Sequence, residues 1–285
     1  MSNIKVIING ILTNANDAVL HISDLSIERG YGIFDYFKTV NGKPVFWEDN
    51  FDRFYQSAET MRLAVGYNRD ELKAMIVQLM NVNNMANSGI KLLLTGGYSQ
   101  DGYSIVQPNL IITQQALIRN ETLENTGLRL VTYEHQRQMA SVKSIDYLMG
   151  ILALPYAKEK AAADVLYQKN GIIAECPRAN IFIVTKDNKL VTPGGDVLKG
   201  ITRKHILEIA QSTIETEIRP VTIAELYNAA EVFITSTTKN ITPVLSVDDT
   251  VYGSSPGMIT RQLQQQYNKY NDLWINFVDD LHKGF

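Results

Sequence analysis

The spacing of apolar and polar positions divides this chain into short strands, amphipathic helices and a polar break. Residues 5–8 and 18–21 are short and apolar-rich, and the stretch between them carries Asn9, Gly10, Asn14, Asn16 and Asp17, a turn composition; both flanks read as strands. Residues 36–40 and 44–46 flank Asn41-Gly42, the strongest short-range hairpin signal. The period then lengthens. Residues 48–61 put Phe51, Phe54, Tyr55 and Ala58 on one helical face and Arg53 on another, and residues 70–84 turn Leu72, Met75, Ile76, Leu79 and Met80 inward. Strand character returns at 90–95 and 109–113, around a loop over 96–104 rich in glycine and tyrosine. From 114 to 122 the pattern loses its period and becomes polar, which marks a linker and separates a domain of residues 1–118 from one of 119–285.

Beyond the linker, residues 128–133 read as a strand and 146–163 as a long helix, in which Pro155 implies a kink. Short strands follow at 165–168, 172–175, 181–185 and 189–191, then helices at 201–212 and 222–228, a buried strand at 232–235 and a closing helix at 260–270. Helices and strands alternate in both halves, so the expected class is α/β or α+β with two domains. Neither a repeat nor a low-complexity tract interrupts the pattern.

Composition narrows the partners. A length of 285 residues with 45% hydrophobic content supports more than one core, and a formal charge of −3 advertises no nucleic-acid partner. The single cysteine, Cys176, excludes an internal disulfide and fits a reducing compartment. Lys5 and Asn9 interrupt the opening residues before an apolar core builds up, and no apolar run nears the roughly 20 residues a membrane helix needs. A soluble, cytoplasmic protein is therefore expected. His21, His135, His205 and His282 are scattered without ligand spacing, so no metal is assigned.

Candidate chemistry concentrates in residues 139–203. Lys143 stands just before a helix-like run, Glu175 ends an apolar strand ahead of Cys176-Pro177, and Gly200-Ile201-Thr202 opens a helix. A reactive amine, an acid and a helix N-terminus suit the holding of an aldehyde cofactor that carries a phosphate. Each residue also has a simpler reading. Lysines beside strand ends are most often solvated, helix arginines such as Arg53 are most often exposed, and Thr202 is equally an ordinary cap. The run from Thr235 to Asn240 is, alone, a polar loop. For Lys143 the neighbours weigh against a paired surface charge, since Ser141, Val142, Ser144 and Ile145 provide no carboxylate.

Six segments, residues 30–35, 50–58, 142–148, 174–182, 198–203 and 235–243, occur in an order that resembles the fold-type IV pyridoxal-phosphate (PLP) aminotransferases. That family includes the D-amino-acid aminotransferases, branched-chain aminotransferases and aminodeoxychorismate lyases, and the likeness runs from Ile22 to Pro243. It implies a small N-terminal α/β domain and a larger C-terminal domain with a β-barrel-like core, with the active site in the interdomain cleft. It also implies a homodimer in which residues 23–34 reach the partner's active site. By the resemblance Lys143 is the catalytic lysine that condenses with the cofactor aldehyde, and Glu175 pairs with the protonated pyridine nitrogen. Arg53 would bind the phosphate together with Ile201 and Thr202 at the helix start and Thr237 and Thr238 in the polar loop. Tyr147 would reach the phenolic oxygen, and Leu198 would pack on the pyridine face.

The departures from the pattern concern the substrate. Arg29 stands where relatives place an aromatic residue, Thr95 to Ser99 contain no counterpart of an Arg-x-His anchor, Lys38 replaces an arginine, and Asp35 replaces a glutamate. Arg29, Tyr31, Phe34 and Lys91 are therefore the expected substrate-binding residues. The implied reaction is ping-pong transamination between an amino acid and a 2-oxo acid. D-alanine- or D-glutamate-type substrates come first, L-branched-chain amino acids second and lyase chemistry on aminodeoxychorismate third. A non-catalytic domain of the same fold is the remaining alternative, against which the intact Lys143, Glu175 and Arg53 argue.

Overall fold

The computed structural model describes residues 4–117 and 121–282. Residues 118–120 of the expected linker lie outside the described residues. The chain divides into two compact units, one within Met1–Ile118, Val142–Asp146 and Val278–Phe285, the other within Arg119–Ser141 and Tyr147–Phe277. The short segment that carries Lys143 thus groups with the first unit, although the sequence boundary assigns it to the second domain.

In the first unit the elements are β1 (Lys5–Ile8), β2 (Ile11–Asn14), α1 (Leu25–Arg29), β3 (Gly32–Val40), β4 (Lys43–Pro44), α2 (Trp47–Thr60), α3 (Arg69–Asn83), β5 (Ser88–Thr95) and β6 (Leu110–Ala116). The strands form one antiparallel sheet in the order β2-β1-β6-β5-β3-β4. Its inner face packs Ile33, Phe37, Ile90, Leu92 and Leu94 against Phe51 and Phe54 of α2 and Leu72, Ile76 and Leu79 of α3, all fully buried. Alternation along β3 sends Phe34, Tyr36 and Lys38 to the opposite face. Asn68 starts α3 with a capping box shared with Glu71.

Two elements differ from the sequence expectation. Residues 18–21 form no strand, because Asn9 and Gly10, at φ 49° and 82°, make a two-residue turn that pairs β1 with the residues immediately after it. Helix α1 arises where the spacing of apolar and polar positions predicts no element: Asp24 accepts from the backbone of Ser26 at its start, and Gly30 ends it in the left-handed region.

The second unit contains α4 (Glu121–Thr126), β7 (Leu128–Glu134), α5 (Leu148–Leu152), α6 (Leu154–Glu159), β8 (Asp164–Lys169), β9 (Ile172–Ile173), β10 (Asn180–Val184), β11 (Leu190–Thr192) and α7 (Ile201–Ala210). Next come β12 (Thr216–Ile218), β13 (Val221–Thr222), α8 (Ile223–Tyr227), β14 (Glu231–Ser236), β15 (Asn240–Val247) and β16 (Thr250–Val251), and the chain closes on α9 (Met258–His282). The single helix expected over 146–163 is two, broken at Ala153. Pro155, at the start of α6, has no N–H to donate to Ile151.

The strands of this unit lie in the order β12-β11-β10-β14-β15-β7-β8-β9-β13, with β16 paired to β15. The sheet is mixed, with parallel pairs β11–β12, β15–β7 and β7–β8. A barrel-like core was the expectation; among the described residues the sheet stays open. Its terminal strands β12 and β13 are consecutive in the chain but do not pair with each other, and between them the Arg219 N–H donates to the Thr192 carbonyl. Among the described residues, no helix is long and apolar enough to cross a membrane, and no group of three or more metal-binding side chains occurs.

Candidate active site

Lys143 is positioned by backbone pairing. Val142 is buried in the core of the first unit, and Phe34 N–H donates to the Lys143 carbonyl at 2.9 Å while Ile145 N–H donates to the Gly32 carbonyl at 3.0 Å. The segment therefore lies as a short extra strand along the start of β3, with Ile33 opposite Ser144. Gly32 makes this approach possible, because a Cβ there would lie 2.8 Å from the Leu94 carbonyl and 3.1 Å from Ile145 Cδ1. With Val142 turned into the core, the Lys143 ammonium comes 4.6 Å from the centre of the Phe34 ring. Lys91 Nζ lies 5.1 Å from the same centre, so the Phe34 ring has two lysine ammoniums against it.

Arg53 and Asp35 form a buried fork. Arg53 Nε and Nη2 donate to the two Asp35 oxygens at 2.8 Å each, and Nη2 also reaches Asn50 Oδ1 at 3.4 Å. Asp35 is fully buried and also accepts from the Tyr36 N–H at 2.7 Å. The aspartate that replaces a glutamate is thus the partner that fixes the orientation of the arginine.

The other expected substrate residues are deployed differently. Tyr31 donates its hydroxyl to the Met61 carbonyl at 2.6 Å and packs on the first core. Burial raises its pKa above the ordinary tyrosine value. Arg29 donates Nε to the Gly102 carbonyl at 2.9 Å and Nη1 to its neighbour Glu28's carbonyl at 3.2 Å, which ties α1 to the loop after β5. Asp24 is spent elsewhere, on Ser26, Thr95 and Asn109.

In the second unit the centre is Glu175, whose side chain is 5% exposed. Its Oε1 accepts from Arg137 Nη1 at 3.0 Å, and its Oε2 from the Leu198 N–H at 3.0 Å and Asn180 Nδ2 at 3.3 Å. Arg137 escaped the sequence reading because it stands in an unpatterned stretch after β7; only the need of a buried carboxylate for a cation pointed toward such a residue. Asn180 Nδ2 also donates to the Leu198 carbonyl at 2.7 Å, so one amide holds the loop that leads into α7. Gly200 is required there, since a Cβ would come within 2.1 Å of Asn180 Oδ1.

Helix α7 begins at Gly200 with no side-chain cap and no acid in its first turn, which leaves backbone N–H groups and the positive helix end for an anion. Ile201, Thr202 and Arg203 are buried at this end. Arg203 donates to Thr192 Oγ1 and the Pro193 carbonyl; desolvation lowers its pKa while Glu175 works the other way. Strand pairing sets Asn180 opposite Thr235, so the turn with Thr237 and Thr238 emerges at the same end of the sheet as Asn180 and its loop. Thr237 is half-buried and Thr238 exposed. Leu198 is half-buried, and Tyr147 caps α5 with its carbonyl accepting from Ile151. Cys176, next to Glu175, is buried, and burial pushes its thiol pKa well up, which suits an inert packing role.

These features define a class. Residues 32–247 match the model of the family described as amino-transferase class IV, and the chain belongs to that family. Class IV aminotransferases are PLP enzymes, and the chain is a transaminase of this class. Among its relatives is the D-alanine aminotransferase of Staphylococcus haemolyticus, 32% identical over 276 residues that span 93% of this chain and 97% of that protein. The D-alanine aminotransferase of Listeria monocytogenes is 30% identical, over 92% of this chain and 94% of that protein. The branched-chain amino acid aminotransferase of Escherichia coli has the same fold, with a TM-score of 0.86 at 24% identity over 92% of this chain and 93% of that one. That of Thermoproteus uzoniensis superposes with a TM-score of 0.85 at 25% identity over 94% of each chain.

Proposed function

We propose that this chain transfers amino groups between small or acidic D-amino acids and 2-oxo acids, with pyridoxal 5′-phosphate as cofactor. The D-alanine aminotransferase relatives at about 30% identity across nearly the whole chain carry the choice of D-substrates. The residues present fit the cofactor: an uncapped helix N-terminus suits its phosphate, a buried carboxylate its pyridine nitrogen, and a lysine amine against an aromatic ring its aldehyde. Bound there, pyridoxal phosphate supplies an electron sink for the electrons left at the substrate Cα.

Lys143 would hold the cofactor at its aldehyde and would serve as the base that moves the proton at the substrate Cα. Glu175, paired with Arg137, would hold the proton on the pyridine nitrogen. The first-turn N–H groups of Ile201 and Thr202 would bind the phosphate, with Thr237 and Thr238 adding donors and Arg53 presenting a guanidinium fixed by Asp35. Leu198 would cover one ring face, and Tyr147 would donate to the phenolic oxygen. Arg29 and Lys91, which have no acidic partner among the described residues, would receive substrate carboxylates beside Tyr31 and Phe34.

Two copies would make the working enzyme in the cytoplasm. Leu148, Ile151 and Leu152 on α5 are 71%, 65% and 61% exposed, an apolar face suited to burial against a second subunit. The deciding experiment mixes purified holoenzyme with D- and L-amino acids one at a time and follows loss of the cofactor's visible absorption band. D-alanine or D-glutamate should react fastest; faster conversion of L-leucine would overturn the choice of substrate.

A further inference from the structure

The outer face of the first sheet carries a feature that the cofactor-binding roles do not use. Tyr36 follows Phe34 by two positions on β3, so both side chains leave the strand on the same face from Cα atoms about 7 Å apart. Tyr36 pairs across the strands with Lys91, and the diagonal neighbour beyond it is Gly89. A Cβ at Gly89 would lie 1.8 Å from the Tyr36 hydroxyl oxygen, 2.3 Å from Cζ and 2.6 Å from Cε2. The tyrosine therefore lies flat across the bare backbone of β5, in space that any other residue at position 89 would fill. Its hydroxyl makes no hydrogen bond among the described residues, and the side chain is half-buried.

The placement is specific. Phe34 is the ring that Lys143 Nζ approaches to 4.6 Å, and Tyr36 is the next ring along the same face. A substrate whose α-carbon is close enough to Lys143 for proton transfer and whose side chain extends along this face would run into Tyr36 after a few atoms. Because the ring rests on Gly89 rather than on a mobile side chain, it cannot drop further to make room. Arginine and lysine contacts select carboxylates but place no limit on bulk; a fixed aromatic wall does.

We propose that Tyr36, laid down on Gly89, is the specificity-determining wall that limits the side chain of the amino acid accepted beside Lys143, restricting it to short chains. This inference rests on the transaminase reading above and names the feature that makes the site select small substrates. Gly89 acts as a positioning residue by giving the ring its low seat.

Straight-chain and branched carboxylic acids that lack the amine, from acetate and propionate to 4-methylpentanoate, serve as unreactive probes, with binding to the holoenzyme read from the shift of its visible band. Half-reaction rates with D-alanine, D-norvaline and D-leucine run in parallel. Tyr36→Ala should improve 4-methylpentanoate binding relative to acetate by on the order of 10-fold or more, with D-leucine gaining on D-alanine. Tyr36→Phe keeps the wall and should leave the ratio near wild type. Gly89→Ala lifts the ring and should tighten the limit, so that D-norvaline loses against D-alanine. Should Tyr36→Ala fail to load cofactor, the Tyr36→Val and Gly89→Ala proteins decide by the same ratios. An unchanged ratio in loaded variants, with D-alanine still converted, overturns the wall and leaves the transaminase reading intact. A wild-type protein that loads cofactor and converts no amino acid overturns both.

Discussion

Arg137 Nη1 stands 3.0 Å from Glu175 Oε1, so the buried carboxylate has a cation on one oxygen while the Leu198 N–H and Asn180 Nδ2 donate to the other. The Arg137 and Glu175 side chains are 17% and 5% exposed, which makes this a largely desolvated pair. Arg137→Gln should therefore leave Glu175 poorly compensated. We expect about 1.5–3 kcal/mol of lost stability in urea unfolding, together with a slower half-reaction as the carboxylate loses the partner that fixes its orientation. Unfolding and rate both at wild-type values would show that the pair is dispensable.

Glu175→Gln tests the carboxylate itself. The amide cannot ion-pair with a pyridinium, so amino-group transfer should slow on the order of 10³-fold, several kcal/mol in barrier, while cofactor remains bound. Pre-steady-state half-reactions read this directly.

Lys143→Ala should abolish turnover and leave cofactor removable by simple dialysis. In the unaltered protein, borohydride reduction followed by peptide mapping should place the label on the peptide that contains Lys143. A label on another lysine would remove Lys143 from the chemistry.

Asp35→Asn would remove the charge that faces the Arg53 guanidinium, whose Nε and Nη2 both donate to that carboxylate. Removing one member of a buried pair costs about 3–5 kcal/mol, so thermal unfolding should move down by many degrees. Asp35→Glu should recover part of the loss, since it keeps the charge but misplaces it by one methylene.

Gly200→Ala would drive a methyl group into Asn180 Oδ1. Relief requires the asparagine to leave Leu198 and Glu175, so we expect about 1–3 kcal/mol of destabilisation and weaker phosphate-dependent cofactor retention, measured by equilibrium dialysis.

Much of the fold was legible because it rests on local chemistry. The periodic faces of residues 48–61 and 70–84 become α2 and α3, and Asn41-Gly42 turns β3 into β4. Legibility failed where long-range pairing decided the outcome. The strand placed at 18–21 lost to the nearer partner after Asn9-Gly10, and among the described residues the second sheet stays open, with its end strands β12 and β13 not paired to each other. For the proposed site, motif context singled out Lys143, Glu175 and Arg53 as candidates. Arg137 and Tyr36 were not, because what marks them is a partner far off in sequence: Glu175 for one and Gly89 for the other.

The grouping of Val142–Asp146 with the first unit bears on how this protein can be cut or recombined. A fragment ending near residue 118 would leave the Phe34 N–H and the Gly32 carbonyl facing an unpaired edge and would lack Lys143. A fragment beginning there would hold the lysine on a strand with nothing to pair against. The two units are therefore not exchangeable cassettes. Hybrids between relatives should take residues 142–146 from the same parent as residues 1–118, so that the first sheet and its borrowed strand match.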